Sequence, residues 1–214
     1  MKKGFFITFE GVEGSGKSTQ ANILKQRLET RGLQAWVTRE PGGTSIGDQV
    51  RNILLTRMDN KGMNPRTEIL LFCASRAQLV DEVIRPHLEQ GEIVLCDRYA
   101  DSTLAYQGYG HGLDIDFLRR LLNFATGGLK PDLTLLLDID PEIGLRRRMN
   151  SGGEWNRLDA YELAFHKRVR HGYLKMAEED IQHWQVIDAA QPPEVVQESL
   201  LKVVLPQVKR FSQG

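Results

Sequence analysis

The sequence contains little cysteine and no long apolar run. Its two cysteines, Cys73 and Cys96, each lie inside a short apolar segment. Isolated cysteines in such segments are typical of small buried side chains, which argues against a disulfide framework or a cysteine metal site. No segment approaches the roughly 20 apolar residues of a membrane-spanning helix. We therefore expect a cytoplasmic protein, kept in a reducing compartment, that has no membrane partner.

The sequence also lacks an excess of charge of either sign. It has 28 Lys and Arg residues against 28 Asp and Glu residues, so its formal net charge is zero. This balance gives no electrostatic basis for binding nucleic acid or anionic lipid. A chain of 214 residues, 41% of them hydrophobic, suffices for one domain with a substantial core and is short for two. We expect one domain over residues 1–214.

Five short apolar runs predict five buried strands, at residues 5–9, 34–38, 93–96, 133–137 and 185–187. Most of them lack the polar alternation of a strand with one solvated face, which favours helices on both sides. Helical segments separate the runs, and they begin after Lys17, at Asn64-Pro65, at Asp140-Pro141 and near Pro193. Strands that alternate with helices predict a three-layer α/β fold with a five-stranded parallel sheet.

The first strand leads into a glycine-rich loop that fits the pattern G-x-x-x-x-G-K-[ST]. The loop reads Gly11, Val12, Glu13, Gly14, Ser15, Gly16, Lys17 and Ser18, and Thr19 follows it. Glycines in such a loop let backbone N–H groups surround phosphate oxygens, and the following helix adds partial positive charge. Lys17 then reaches the β- and γ-phosphates of a bound nucleotide, and the Ser18 hydroxyl is a candidate Mg²⁺ ligand.

Glu13 is unusual in this loop because bound phosphates repel a carboxylate. Either it meets a cation or a sugar hydroxyl, or it points away from the site, and the loop alone favours neither reading. The loop itself fits kinases, GTPases, motor ATPases and transporters. The guanine-specifying pattern N-K-x-D is absent from the sequence.

Asp97 and Arg98 follow the third predicted strand directly. The carboxyl ends of strands in an open α/β sheet face the ligand, so both side chains are candidates for the site. Asp97 suits a Mg²⁺-bound water, and the Arg98 guanidinium suits a phosphate group. Alone, this pair is also compatible with a surface salt bridge.

Further motifs accompany these residues over nearly the whole chain. They are T-R-E-P-G-G-T at residues 38–44, F-C-A-S-R at 72–76, D-R-Y at 97–99, D-S-T-L-A-Y-Q-G at 101–108, K-P-D-L-T at 130–134, N-R-L-D at 156–159 and I-D-A at 187–189. In this order the set resembles the bacterial thymidylate kinase family. The resemblance implies transfer of a phosphoryl group from ATP to dTMP, with Mg²⁺, in the synthesis of dTTP.

The resemblance also implies roles for individual residues. Phe72 stacks on thymine, Arg76 donates to its 4-oxygen, and Gln107 pairs with the base edge close to Thr103. Tyr106 crowds the sugar 2′ position, and Glu13 contacts the 3′-hydroxyl. Residues that hold the dTMP phosphate or lie in the same motif are Arg39, Glu40, Pro41, Arg51 and Arg98. Without the resemblance, Phe72 would be expected in the core, and Arg51 and Arg76 on solvated helix faces.

The family places a catalytic arginine either in the phosphate-binding loop or in a lid. The loop here contains no arginine, so we expect the lid, at about residues 146–158, to supply it. Arg157 is the first candidate and Arg148 the second, while the other arginines of the run 146–148 are expected in solvent. The family also holds adenine with the segment around Gln191, and its members are homodimers.

Two alternatives remain at this point. One is a deoxynucleoside kinase or a kinase for another monophosphate, which a panel of acceptor substrates separates. The other is a nucleotide-binding switch without turnover, which ATP consumption with and without dTMP separates.

Overall fold

The computed structural model describes residues 4–55, 63–150, 156, 158, 159 and 161–212. Its centre is a five-stranded parallel sheet in the order β2-β3-β1-β4-β5. The strands are β1 (Phe5–Glu10), β2 (Ala35–Arg39), β3 (Ile93–Asp97), β4 (Leu133–Asp138) and β5 (Trp184–Asp188). All five predicted strands are present, and the α/β fold class is confirmed.

Helices connect the strands and flank the sheet. They are α1 (Lys17–Glu29), α2 (Ser45–Leu55), α3 (Pro65–Leu79), α4 (Arg85–Glu89), α5 (Ala100–Thr103), α6 (Ile115–Ala125), α7 (Pro141–Asn150), α8 (Leu163–Glu179) and α9 (Pro193–Ser212). Two π-helical segments, Val80–Ile84 and Leu104–Gly110, continue α3 and α5. Within the part of the chain that the structure describes, no helix is long and apolar enough to cross a membrane.

The predicted helix starts depend on local chemistry. Asn64 caps α3 by accepting a hydrogen bond from the Arg66 N–H, and Pro65 occupies the first turn. Asp140 accepts from the Glu142 N–H in the same way at the start of α7. These caps satisfy N–H groups that have no partner inside the helix. The short polar side chain before each proline therefore fixes where the helix begins.

The core lies on both faces of the sheet. Every residue of β1 is buried, whereas the edge strands β2 and β5 expose Trp36 and Val186 by 45% and 50%. Cys73 and Cys96 are both buried and free, as the apolar runs around them predict. A central strand covered on both faces is expected to be mostly apolar, and β1 is apolar except for the buried Thr8 and Glu10.

The strand order brings the loops that follow β1 and β3 together at the carboxyl ends of the strands. β1 pairs with β3 on one side and with β4 on the other, and all these pairings are parallel. The strand order therefore reverses at β1, which leaves a crevice at the carboxyl ends of the strands. The glycine-rich loop after β1 and the Asp97-Arg98 pair at the end of β3 both lie there.

Candidate functional site

A cleft of about 460 Å³ opens at this edge of the sheet, a size typical of small-ligand sites. The glycine-rich loop, the end of β3, α3 and the segment Leu104–Gly110 form its walls. Predicted site residues that line it are Glu13, Gly14, Gly16, Lys17, Ser18, Thr19, Arg39, Glu40, Pro41, Arg51, Phe72, Arg76, Asp97, Arg98, Thr103, Tyr106, Gln107 and Arg148. The structure thus brings together side chains that are far apart in the sequence.

The Lys17 ammonium lies inside the glycine-rich loop. Nζ donates to the carbonyl oxygens of Gly11 and Val12, at 3.0 and 2.8 Å, and to Ser15 Oγ at 3.1 Å. Burial disfavours the charged ammonium and, together with Arg98, lowers the pKa of Lys17 to about 8, although nearby carboxylates oppose the shift. The loop therefore holds a buried cation at the helix N-terminus, where an anionic phosphate is favoured.

The loop packs directly against the backbone of α7. Gly14 has a φ of +71°, and a Cβ added to it would lie 1.9 Å from the Gly144 carbonyl oxygen. A Cβ on Gly144 would in turn lie 2.2 Å from the Glu13 carbonyl oxygen. Only glycine fits at either position, because two backbones approach where a side chain would be.

Arg98 adopts a left-handed backbone conformation, with a φ of 70°. This is uncommon for a residue with a side chain, and such strain concentrates at functional sites. Its Nη2 donates to Glu13 Oε1 at 3.0 Å and to the Tyr106 hydroxyl at 3.2 Å. The turn after β3 therefore directs the guanidinium back towards the glycine-rich loop.

Glu13 is buried among cations and donors. Besides Arg98, Oε1 accepts from the Tyr106 hydroxyl at 2.6 Å, and Oε2 lies 3.2 Å from His166 Nδ1. Burial alone would raise the pKa of Glu13, but Arg98, His166, Lys17 and Tyr106 together lower it to about 2. The carboxylate therefore contacts a cation, which is one of the two possibilities that the sequence left open.

Ser18 and Asp97 lie side by side at the start of α1 and the end of β3. The Ser18 hydroxyl donates a short hydrogen bond to Asp97 Oδ2. A hydroxyl and a carboxylate are oxygen ligands of the type that Mg²⁺ takes together with water and phosphate oxygens. Among the residues that the structure describes, no group of three or more His, Cys, Asp or Glu side chains forms a metal cage. The donors thus fit a Mg²⁺ ion that arrives with a phosphate ligand.

Arg76 is 1% exposed and binds the buried Glu40 carboxylate through Nε and Nη2. Its Nη1 donates to Thr103 Oγ1 at 3.1 Å, and Nη2 also donates to the Tyr99 carbonyl. Of the two N–H groups on Nη1, Thr103 takes one. The side chain is thus held rigidly at the cleft wall, contrary to the solvated position that a helical arginine suggests by default.

Phe72 and Gln107 both line the cleft, and Gln107 bonds to Glu68, which lies one helical turn before Phe72 on α3. Phe72 is half-buried and lines the cleft. Gln107 is buried, and its Nε2 donates to Glu68 Oε1 at 2.7 Å. Glu68 thereby orients the Gln107 amide, whose oxygen is left as an acceptor.

Arg39 and Arg51 lie on the α2 side of the cleft. Arg51 Nη1 donates to the Pro41 carbonyl at 2.9 Å, and burial, followed by the charge of Arg39, lowers the pKa of Arg51. Arg39 is exposed, with its Nη2 3.8 Å from Asp48 Oδ1. With Arg98, these residues give one cleft three guanidinium groups, an arrangement suited to a phosphate dianion.

The arginines at the end of α7 point in three directions. Arg148 lines the cleft and its Nε donates to Asp159 Oδ2 at 3.3 Å. Arg147 donates to the carbonyl oxygens of Ala189 and Ala190, at 2.7 and 3.0 Å. Arg146 is exposed and pairs with Glu142. Arg157, the first candidate for the lid arginine, lies outside the described residues.

Gln191 does not line the cleft. It is exposed, and its Nε2 donates to Asp188 Oδ2 at 2.8 Å, in the turn after β5. The Arg147 contacts connect this turn to α7. Arg147 is exposed, as expected for an arginine of this run, and its guanidinium also links α7 to the turn after β5.

Several site residues were not predicted from the sequence. Buried Glu10 accepts from the Tyr99 N–H, from Ser102 Oγ and from the Tyr173 hydroxyl, at 2.8, 2.6 and 2.8 Å. Ser102 and Asp159 line the cleft. The position of Glu10 directly before the glycine-rich loop was a usable signal. Helix α8 contributes Tyr173 and His166, and nothing in its amphipathic sequence marks them.

The chain is similar over nearly its whole length to known proteins. The family model for thymidylate kinase matches residues 9–200. The thymidylate kinases of Roseiflexus castenholzii and Thermomicrobium roseum are 52% and 53% identical to the chain, over 97% and 96% of its length and 96% and 97% of theirs. The crystal structure of thymidylate kinase from Ehrlichia chaffeensis superposes with a TM-score of 0.77 at 33% identity, covering 94% of this chain and 99% of that one.

Proposed function

The chain belongs to the thymidylate kinase family and phosphorylates dTMP to dTDP with ATP, and we propose that the cleft described above performs this reaction with the side chains that line it. The observation that carries the proposal is the position of Arg98. A single guanidinium, fixed by an unusual backbone conformation, lies between the phosphate-binding loop and the aromatic end of the cleft. It can therefore contact the phosphate that leaves ATP and the phosphate that accepts it.

The proposed reaction needs little acid–base catalysis. A phosphate monoester has its second pKa near 6, so the attacking oxygen of dTMP is already anionic at neutral pH. The protein then has to align the two phosphates and neutralise their charge. Lys17 and the loop N–H groups bind the ATP phosphates, and Arg39, Arg51 and Arg98 bind the dTMP phosphate. A lid arginine, Arg157 or Arg148, adds charge in the transition state.

The base end of the cleft supports thymine as the acceptor base. The half-buried Phe72 ring offers a stacking surface. The second N–H of Arg76 Nη1 suits the thymine 4-oxygen and would face an amino group in cytosine. Tyr106 forms hydrogen bonds with Glu13 and Arg98 and is proposed to crowd the sugar 2′ position. Glu13 is proposed to contact the 3′-hydroxyl.

We propose Mg²⁺ as the metal that accompanies ATP. Ser18 and Asp97 are the residues that would hold it, Ser18 through its hydroxyl and Asp97 through a bound water. When bound, the ion neutralises the phosphates of ATP and orients them. The adenine ring is proposed to lie near the turn that contains Gln191. Hydrogen bonds from Arg147 connect this turn to α7.

We also propose a homodimer. Helices α2 and α3 pack against each other, as do α3 and α6, and each of the three exposes large apolar side chains. These are Ile46, Ile53, Leu70, Phe117 and Phe124, between 51% and 85% exposed. Apolar side chains on adjoining helices of this kind are typical of an interface between subunits.

The proposal is tested by measuring ADP release with each nucleoside and deoxynucleoside monophosphate as acceptor. We expect dTMP to be the best acceptor, with dUMP about 10- to 200-fold worse in kcat/KM, the discrimination typical of one methyl group. Faster phosphorylation of thymidine than of dTMP would contradict the proposed site. An equal rate with dCMP would contradict the proposed role of Arg76 but not the other proposed roles.

A further inference from the structure

His166 is a buried histidine that none of the roles proposed above uses. It lies on α8 and is 0% exposed. Its Nδ1 is 3.2 Å from Glu13 Oε2, while neither ring nitrogen has an aligned hydrogen bond to any residue that the structure describes. A buried histidine without such a partner is costly, so its contact with Glu13 needs an explanation.

The position of the proton between the two side chains follows from their charges. Arg98, the strongest of the influences that lower the pKa of Glu13 to about 2, keeps the carboxylate ionised at neutral pH. Oε2 presents only lone pairs, and a bare Nδ1 would present another at 3.2 Å, which is repulsive. The contact is stable only if Nδ1 carries the proton, in either the neutral or the charged ring.

The two oxygens of Glu13 therefore have different partners. Oε1 meets Arg98 and Tyr106, which line the cleft, and Oε2 meets His166, which lies behind the loop. Rotation of the Glu13 carboxylate would break the contacts of both of its oxygens. A donor at Oε2 fixes the orientation in which Oε1 holds the cleft-lining side chains.

We propose that His166 is a positioning residue for sugar recognition, donating from Nδ1 to Glu13 and so holding the carboxylate in place for the deoxyribose of dTMP. The inference rests on the proposed contact between Glu13 and the sugar 3′-hydroxyl. It predicts that discrimination between dTMP and 3′-deoxy-dTMP depends on a donor at position 166. It further predicts that His166 acts through Glu13 and not through general packing.

The proton position is tested on the unaltered protein by ¹⁵N NMR of its histidine rings at neutral pH. The His166 signals are assigned by their loss in His166→Asn. We expect Nδ1 to be protonated. A neutral ring with the proton on Nε2 and a bare Nδ1 would overturn the inference, and this result does not depend on whether any other variant folds.

The role in recognition is tested by the ratio of kcat/KM for dTMP to that for 3′-deoxy-dTMP. His166→Leu, which removes the donor, is expected to reduce this ratio about tenfold, and His166→Asn, whose amide supplies a donor, to restore most of it. In a Glu13→Gln background, His166→Leu should have little further effect. His171→Leu, an exposed histidine one and a half turns later on α8, is the matched control and should leave the ratio unchanged.

The outcomes separate the inference from the function on which it rests. If the unaltered enzyme discriminates and His166→Leu discriminates equally, the role of His166 is overturned while that of Glu13 stands. If the unaltered enzyme does not discriminate, the Glu13 contact itself is wrong, and the inference fails with it.

Discussion

Arg76 and Glu40 form a buried ion pair beside the cleft, with Arg76 Nε donating to Glu40 Oε2 at 2.8 Å. The pair joins α3 to the loop after β2 and fixes the guanidinium at the base end of the cleft. Removal of either partner leaves an uncompensated charge in the protein interior.

We therefore expect Glu40→Ala to lower the free energy of unfolding by about 3–5 kcal/mol, measured by urea denaturation. Glu29→Ala is the control, because it breaks a partly exposed ion pair with Lys25 and should cost less than about 0.5 kcal/mol. Equal urea midpoints for the two variants would show that Arg76 does not need Glu40 as its counter-charge.

Phe72→Ala is expected to raise the KM for dTMP about 5- to 150-fold, since base–aromatic stacking is worth roughly 1–3 kcal/mol. The KM for ATP should change little, because Phe72 lies at the other end of the cleft. A thermal melt beside the kinetics separates this role from a structural one. A large loss of stability, with both KM values altered, would identify Phe72 as part of the core.

The affinity for ATP should fall as the pH rises above about 8. Burial, together with Arg98, lowers the pKa of Lys17 to about 8, so the free enzyme loses that proton above this pH. Bound phosphates favour the charged ammonium, and binding at pH 8.5 to 9 then takes up a proton. Calorimetry in buffers of different ionisation enthalpy measures this uptake, and Lys17→Met, which has no proton to lose, is the control. Equal uptake in both proteins would exclude Lys17 as its source.

Glu13 should stabilise the fold above about pH 4.5 and lose this effect below it. The pKa of Glu13 falls from 4.5 to about 2 on folding, because its charged neighbours outweigh its burial. A lowered carboxyl pKa contributes stability that is fully present above the unfolded value and is lost as the pH falls towards the folded one. The shift corresponds to roughly 3 kcal/mol. Denaturation of Glu13→Gln at several pH values should give a difference from the unaltered protein that shrinks from pH 5 to pH 3, whereas a constant difference would contradict the charged state of Glu13.

The lid arginines are separated by single substitutions. Arg157→Ala should lower kcat by about 10³-fold or more while the affinity for dTMP changes little, by analogy with arginine fingers. Arg148→Ala should have a smaller effect, since its guanidinium is engaged with Asp159. Arg146→Ala, which removes an exposed side chain paired with Glu142, is the control. If only Arg148→Ala lowers kcat strongly, Arg148 and not Arg157 is the catalytic arginine of the lid. If neither substitution lowers kcat, the lid does not supply the positive charge in the transition state.

The elements that the sequence predicted well are those with local causes. The five strands follow from short, mostly apolar runs, and the starts of α3 and α7 follow from the capping residues Asn64 and Asp140. The glycine-rich loop and many, but not all, of the residues that line the cleft followed from motifs. In each case neighbouring residues carried the information.

The features that escaped prediction depend on contacts between distant segments. The left-handed conformation of Arg98 exists because the end of β3 must turn towards the loop after β1. The π-helical turn at Leu104–Gly110 places Tyr106 and Gln107 together at the cleft wall, and periodicity does not indicate it. His166 and Tyr173 lie on a helix whose apolar pattern is ordinary, so only the fold reveals what they face.

The close approach of Gly14 and Gly144 limits how this enzyme could have evolved. An arginine at position 14 would need both a left-handed backbone and the space that the Gly144 carbonyl occupies, 1.9 Å from its Cβ. A change at position 144 alone does not open that space, because the obstruction is the peptide backbone and not a side chain. A mutational path that moves the catalytic cation into this position of the phosphate-binding loop is therefore closed unless helix α7 first shifts away.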